Sequence, residues 1–161
     1  MEWSEILADP SLHDLPYKIE TNQYGQIVMS PASRRHSRRQ SRIERLLEEH
    51  LTGGEAFVEC PIATTLGTKV ADVVWASEGL LARQADFDPM TEAPEVCVEV
   101  LSASNTRQEI DEKKDLYFQS GATEVWTCGL SGDMTFFDRS GVVDLSRLAP
   151  GFPTHVALRH P

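Results

Sequence analysis

Pro94-Glu95-Val96-Cys97-Val98-Glu99-Val100-Leu101 is the most apolar run of the chain, and it carries a carboxylate in its middle. A run this short, bounded by proline and rich in valine, reads as a strand covered on both faces. An unpaired charge placed there costs several kcal/mol, so Glu99 asks for a partner. Val70-Ala71-Asp72-Val73-Val74-Trp75 repeats the pattern with Asp72. After Glu99 comes a turn over Ser102 to Asn105, then a helix from about Thr106 to Ser120. Thr106 and Glu109 have the spacing of a capping box, and Gly121 stops the helix. Val125 to Cys128 is the next strand. Strand, helix and strand in this order predict a crossover unit, hence an α/β fold.

Working outward, Ala56 to Ile62 and Thr68 to Ala76 read as strands joined by a turn at Leu66-Gly67. A helix runs from about Ser33 or His36 to His50, with serine as its cap and Leu51-Thr52-Gly53-Gly54 as its end. Its apolar line is Ile43, Leu46 and Leu47, and steps of four and seven reach Gln40 and His36. Tyr17 to Met29 reads as two strands or a hairpin turning near Asn22 to Gly25. Ser77 to Met90 is a loop or broken helix. Ser131-Gly132-Asp133 is a hairpin turn, and Met134 to Phe137 is the returning strand. The expected organisation is one domain over 1–161, with 1–16 a lead-in segment and 138–161 a C-terminal extension.

With 161 residues, 40% of them hydrophobic and 25% charged, the chain can bury a core without disulfides or a structural metal. Cys60, Cys97 and Cys128 lack ligand spacing and read as buried free thiols. The N-terminus is acidic and lacks an apolar leader. No stretch approaches the roughly 18 apolar residues of a membrane helix. The expectation is a cytoplasmic protein with no membrane association. The net charge of −10 disfavours broad, non-specific nucleic-acid binding. Between Arg34 and Arg45, however, six arginines accompany one acid, Glu44, and the rest of the chain carries 9 basic and 24 acidic groups. Such a basic patch fits a phosphate contact, a self-association surface or an acidic partner.

If the strands of Asp72 and Glu99 are neighbours, the two carboxylates can clamp a divalent ion. Carboxylate oxygens and water suit Mg2+, with Mn2+ as a substitute. Such an ion can polarise a phosphodiester and activate water. The plainer alternative is that each acid faces solvent or pairs with an arginine. In the following helix Ile110, Lys113, Leu116 and Tyr117 share a face, which draws Lys113 toward the carboxylates. A surface pairing with Glu109 is its alternative, and Lys114, pointing roughly 100° away, is its rival. His36 reads either as a phosphate contact or proton-transfer group, or as a buried, hydrogen-bonded histidine. Glu59 and Glu95 are weaker candidates for supporting roles. No phosphate-binding glycine loop is present, and His13, His36, His50, His155 and His160 show no zinc spacing.

These residues together resemble the Uma2 family, formerly a domain of unknown function (DUF820), within the restriction-endonuclease-like or PD-(D/E)XK superfamily. The resemblance runs from about Tyr17 to Phe137. It rests on Met29-Ser30-Pro31-Ala32-Ser33 with His36, on Ala71-Asp72-Val73-Val74, and on Ala93 to Ser102 around Glu99. Lys113-Lys114-Asp115-Leu116-Tyr117, Gly121 and Glu124-Val125-Trp126 complete it. It implies a restriction-endonuclease-like fold, a central mixed β-sheet flanked by helices. It implies Asp72 and Glu99 as metal carboxylates and Lys113, with His36, as catalytic partners. The superfamily's usual lysine two places after the second carboxylate is Leu101 here, and Lys113 fits a lysine moved to the next helix. Ala71 and Ala103 stand where the family usually has proline. The function implied is a Mg-dependent endonuclease hydrolysing phosphodiester bonds, in DNA, with a homodimer able to present two sites to two strands. RNA or branched nucleic acid is a further substrate class. The alternative is a non-catalytic binding or assembly protein that retains the nuclease fold.

Overall fold

The two carboxylate-bearing stretches lie side by side at the centre of a six-stranded mixed sheet. The computed structural model describes residues 1–159, so of the histidines read above only His160 lies outside the described residues. Its elements are α1 (Trp3–Ala8), a 3-10 turn (Pro10–Leu12), β1 (Tyr17–Thr21), β2 (Ile27–Pro31), α2 (Arg34–His50), β3 (Gly54–Thr64) and β4 (Gly67–Ser77). There follow α3 (Glu78–Arg83), β5 (Val96–Val100), α4 (Arg107–Gln119), β6 (Glu124–Cys128), β7 (Met134–Asp138) and β8 (Gly141–Val143). The large sheet has the order β3-β4-β5-β6-β7-β8, and β1 and β2 form a separate antiparallel pair. Among the described strands only β5 and β6 pair in parallel, and α4 connects them. The strand-helix-strand reading thus holds, and so does the mixed, helix-flanked sheet.

Local chemistry accounts for the helix ends. Ser33 accepts from the His36 amide at 3.1 Å, so α2 begins where serine can cap it. Thr106 and Glu109 form the reciprocal capping box at the start of α4. On one sheet face Ile43, Leu46 and Leu47 of α2 pack on Val73, Trp75, Val96 and Val98. On the other, Tyr117 and Leu80 pack with Val74, Ala76 and Cys97. The helices α2 and α4 therefore approach the β4–β5 pair from opposite faces. All three cysteines are buried and free.

Ser77 to Met90, read as a loop or broken helix, holds the short helix α3, capped by Ser77, and then turns. One feature was not legible beforehand. The C-terminal segment adds β8 to the sheet and inserts Ala149, Phe152 and Val156 into the core. Phe152 lies 4.7 Å from the Trp126 ring and 6.3 Å from that of Phe136, centroid to centroid. Phe152→Ala is expected to cost about 3–5 kcal/mol in a urea titration, because it empties a fully covered aromatic site. A loss below about 1 kcal/mol would mean that the tail lies outside the cooperative core.

Candidate active site

The register of β4 against β5 explains why two distant acids meet. Val73 pairs with Val98, Val74 with Cys97 and Trp75 with Val96. The next position of the same register sets Asp72 opposite Glu99, on one face of an antiparallel pair. The ladder stops there. In its place, the Val100 amide donates to Asp72 Oδ2 at 2.7 Å. On the other side Asp72 lies opposite Glu59 of β3, between the pairs Val58–Val73 and Cys60–Ala71. Glu59 has φ of 54°, a left-handed conformation costly for a non-glycine residue. The Asp72 carbonyl accepts from Gln40 Nε2 at 2.9 Å, and the same nitrogen donates to Glu59 Oε1 at 2.5 Å. Strained backbone and a side-chain amide thus hold the strand open at the acidic residue.

Two lysine ammonium groups and the His36 imidazole meet these acids. Lys18 Nζ lies 2.6 Å from Asp72 Oδ1 and 3.8 Å from Glu99 Oε2. Lys113 Nζ lies 2.9 Å from Glu20 Oε2 and 3.7 Å from Glu99 Oε2. His36 Nε2 lies 3.3 Å from Asp72 Oδ2. Tyr117 donates its hydroxyl to Glu99 Oε1 at 2.6 Å. The side chains of Asp72 and Glu99 are only 2% and 5% exposed, so these are desolvated charges rather than surface pairs. The acids, both lysines, His36 and Glu59 line one cavity of about 50 Å³. Its wall residues Pro31, Ala32, His36, Val100 and Ser102 also line an adjoining groove of about 510 Å³, which holds Arg35.

The two acids differ in proton affinity. Burial raises Asp72, but the Lys18 charge and the His36 hydrogen bond overcome it and hold the carboxyl well below its ordinary value. Burial pushes Glu99 up to about 7, against the opposing charges of Lys113 and Lys18. His36 is raised, first through its hydrogen bond to Asp72. Burial raises Lys18's cost of charge, yet Glu99, Asp72 and Glu20 together hold its ammonium protonated far above neutrality. Burial also opposes ionisation of Glu20, but Lys113, Lys18 and the Val70 amide lower it overall.

Asp72, Glu99, Lys113 and His36, the candidates from sequence, are therefore brought together. Lys114 instead lies 4.5 Å from the Phe137 ring centroid and 3.5 Å from Asp111. Glu59 borders the site through Gln40, whereas Glu95 accepts from Ser77 at the other end of its strand. Sequence reading missed Lys18 and Glu20. They are two apart in β1 and so project to one side, a sign available in the sequence but weak in a five-residue strand. It also read Tyr117 as packing alone and Gln40 as only one point on a helix face. Gly67, with φ of 90°, lets the β3–β4 turn pass under this hairpin. A Cβ there would sit 2.5 Å from the Asn22 carbonyl oxygen.

The arginines of α2 divide between the groove, the interior and a separate surface. Arg35 lines the large groove, and Arg39 is buried, donating to the Gly129 and Leu130 carbonyls. Arg38, Arg42 and Arg45 line a separate cleft with Arg159.

The donor set fits a hard cation. Val100 engages Asp72 Oδ2 and Tyr117 engages Glu99 Oε1, while the Lys18 ammonium stands between Asp72 Oδ1 and Glu99 Oε2, with Lys113 also near the latter. Among the described residues no group of three or more His, Cys, Asp or Glu side chains forms a metal cluster. Asp72 and Glu99 are the two carboxylates whose oxygens converge at this point.

A family model described as "Uma2: Putative restriction endonuclease" matches residues 9–133. The chain belongs to the Uma2 family. Among solved structures, this Uma2 chain is similar to a protein from Anabaena variabilis ATCC 29413, described as "a putative nuclease belonging to DUF820". The identity is 16% and the TM-score 0.68, over 86% of this chain and 79% of that one, a likeness of fold. No curated protein matches the chain. In this Uma2 chain the residue two places after Glu99 is Leu101, which brings no charge. Lys113 from α4 and Lys18 from β1 bring ammonium groups to the same acids instead. No helix among the described residues is long and apolar enough to cross a membrane.

Proposed function

We propose that this Uma2 protein is a divalent-metal-dependent nuclease that hydrolyses phosphodiester bonds in DNA. The observation that carries this is the placement of Asp72 Oδ1 and Glu99 Oε2 around one cation, beside a groove that contains Arg35 and His36. Asp72 and Glu99 would hold the ion, Mg2+ or Mn2+. When bound, such an ion supplies charge neutralisation at the phosphate and a lowered pKa for attacking water. Val100 and Tyr117 fix the outer oxygens of the two acids, so little reorganisation is needed. Lys113, tethered to Glu20, presents a fixed positive charge to the phosphate as negative charge develops. Arg35 meets the flanking backbone. His36 holds Asp72 in its ionised form.

The charge balance within the cavity favours a second reading. Lys18 and Lys113 already offset the buried acids, as they would in a binding or assembly protein that keeps the nuclease fold without turnover. Supercoiled plasmid separates the two. The nuclease reading expects conversion to nicked or linear DNA in Mg2+ and none in excess EDTA. Defined duplex, single-stranded, branched and RNA competitors rank the substrates. No metal-dependent cleavage of any of these by folded protein would sink the nuclease reading and leave the second.

A further inference from the structure

Lys18 stands where the proposed function requires a metal ion. Its nitrogen is 2.6 Å from Asp72 Oδ1 and 3.8 Å from Glu99 Oε2, the latter oxygen also lying 3.7 Å from Lys113 Nζ. Mg2+ needs carboxylate oxygens at about 2.0–2.1 Å and keeps several waters. A divalent ion on the two acids needs the oxygen that the Lys18 ammonium contacts at 2.6 Å, and the like charges of the two cations repel strongly in so desolvated a place.

We propose that Lys18 is the resident cation of this carboxylate seat, and that a divalent ion binds by displacing its ammonium, so that Lys18 sets the metal affinity of the site. The inference rests on the metal-dependent reading above and deepens it. Lys113 does not compete in the same way, because its nearest partner is Glu20, at 2.9 Å, rather than Glu99. The backbone that carries Lys18 is pinned. Glu20 Oε2 accepts from the Val70 amide at 2.7 Å, and Lys69 Nζ donates to the Thr21 carbonyl at 2.9 Å. The exchange is thus a swing of one flexible side chain while β1 stays in place. Replacing a single charge by a double one also makes the loaded site more positive and better suited to an anionic phosphodiester. Lys18 accordingly holds the empty site in a folded, charge-balanced form and is a positioning residue for the two acids.

The test is Mn2+ binding without nucleic acid, read by calorimetry and by the electron paramagnetic resonance signal of free Mn2+. Lys18→Met is expected to bind Mn2+ at least about tenfold more tightly than the parent, since a competing cation is gone. Equal or weaker binding by folded Lys18→Met would overturn displacement while leaving the metal reading intact. Absence of binding by both proteins would overturn the metal reading and this inference with it. A second measurement needs no folded Lys18→Met. In ¹⁵N spectra of the parent's lysine ammonium groups, Mg2+ is expected to remove the slowly exchanging signal of Lys18, assigned with Lys18→Arg. Persistence of that signal at saturating Mg2+ would overturn the proposal.

Discussion

Glu99→Gln lowers metal-dependent phosphodiester cleavage by about 10³-fold or more, in initial rates on plasmid or a labelled duplex. Loss of one carboxylate ligand removes several kcal/mol of charge stabilisation, and each 1.4 kcal/mol is a factor of ten. This variant separates chemistry from folding with little ambiguity. Burial already pushes the Glu99 carboxyl up to about 7, so the metal-free fold tolerates an uncharged side chain there near neutral pH. Glutamine keeps the volume, and its carbonyl oxygen can still accept from Tyr117. Its melting temperature should therefore stay within a few degrees of the parent's. Asp72→Asn should abolish cleavage as well, at a larger cost in stability. It strips the closest counter-charge from Lys18, and breaking a buried pair costs about 3–5 kcal/mol. Parent-level cleavage by folded Glu99→Gln would remove Glu99 from the chemistry.

Much of this site was legible because its residues break a pattern. Asp72 and Glu99 interrupt apolar strands, Lys113 interrupts a helix face that otherwise packs, and His36 lies on the line of Ile43 and Leu47. The fold was legible for a related reason, since Thr106 with Glu109 and Ser33 mark helix starts by their own hydrogen bonds. What stayed hidden breaks no pattern. Lys18 and Glu20 alternate in a short, partly exposed hairpin, as charged residues do on countless surfaces. Only the docking of that hairpin over β4, through Thr21 and Lys69, turns them inward. Glu59 was visible as an acid in a strand, but its left-handed backbone was not. Ala149, Phe152 and Val156 have helical spacing, but Pro150, Gly151 and Pro153 rule out a helix there, so their entry into the core depends on the loop path.

The placement of two adjacent lysines makes the second large effect specific. Lys113→Met is expected to lower kcat by about 10²–10³-fold, the usual loss on removing one preorganised electrostatic donor. Lys114→Met should keep the parent's kcat, since Lys114 covers Phe137 and pairs with Asp111 away from the acids. Lys113 is also the nearest cation to buried Glu20, so its removal alone leaves a carboxylate short of its partner. The double variant Lys113→Met with Glu20→Gln removes that penalty and should recover melting temperature without recovering kcat. This contrast decides between a phosphate-facing charge and a structural salt bridge. If the double variant regains both stability and rate, Lys113 serves the fold. If Lys114→Met slows cleavage while Lys113→Met does not, the face of α4 that meets the substrate is the neighbouring one, and the assignment of residue 113 falls.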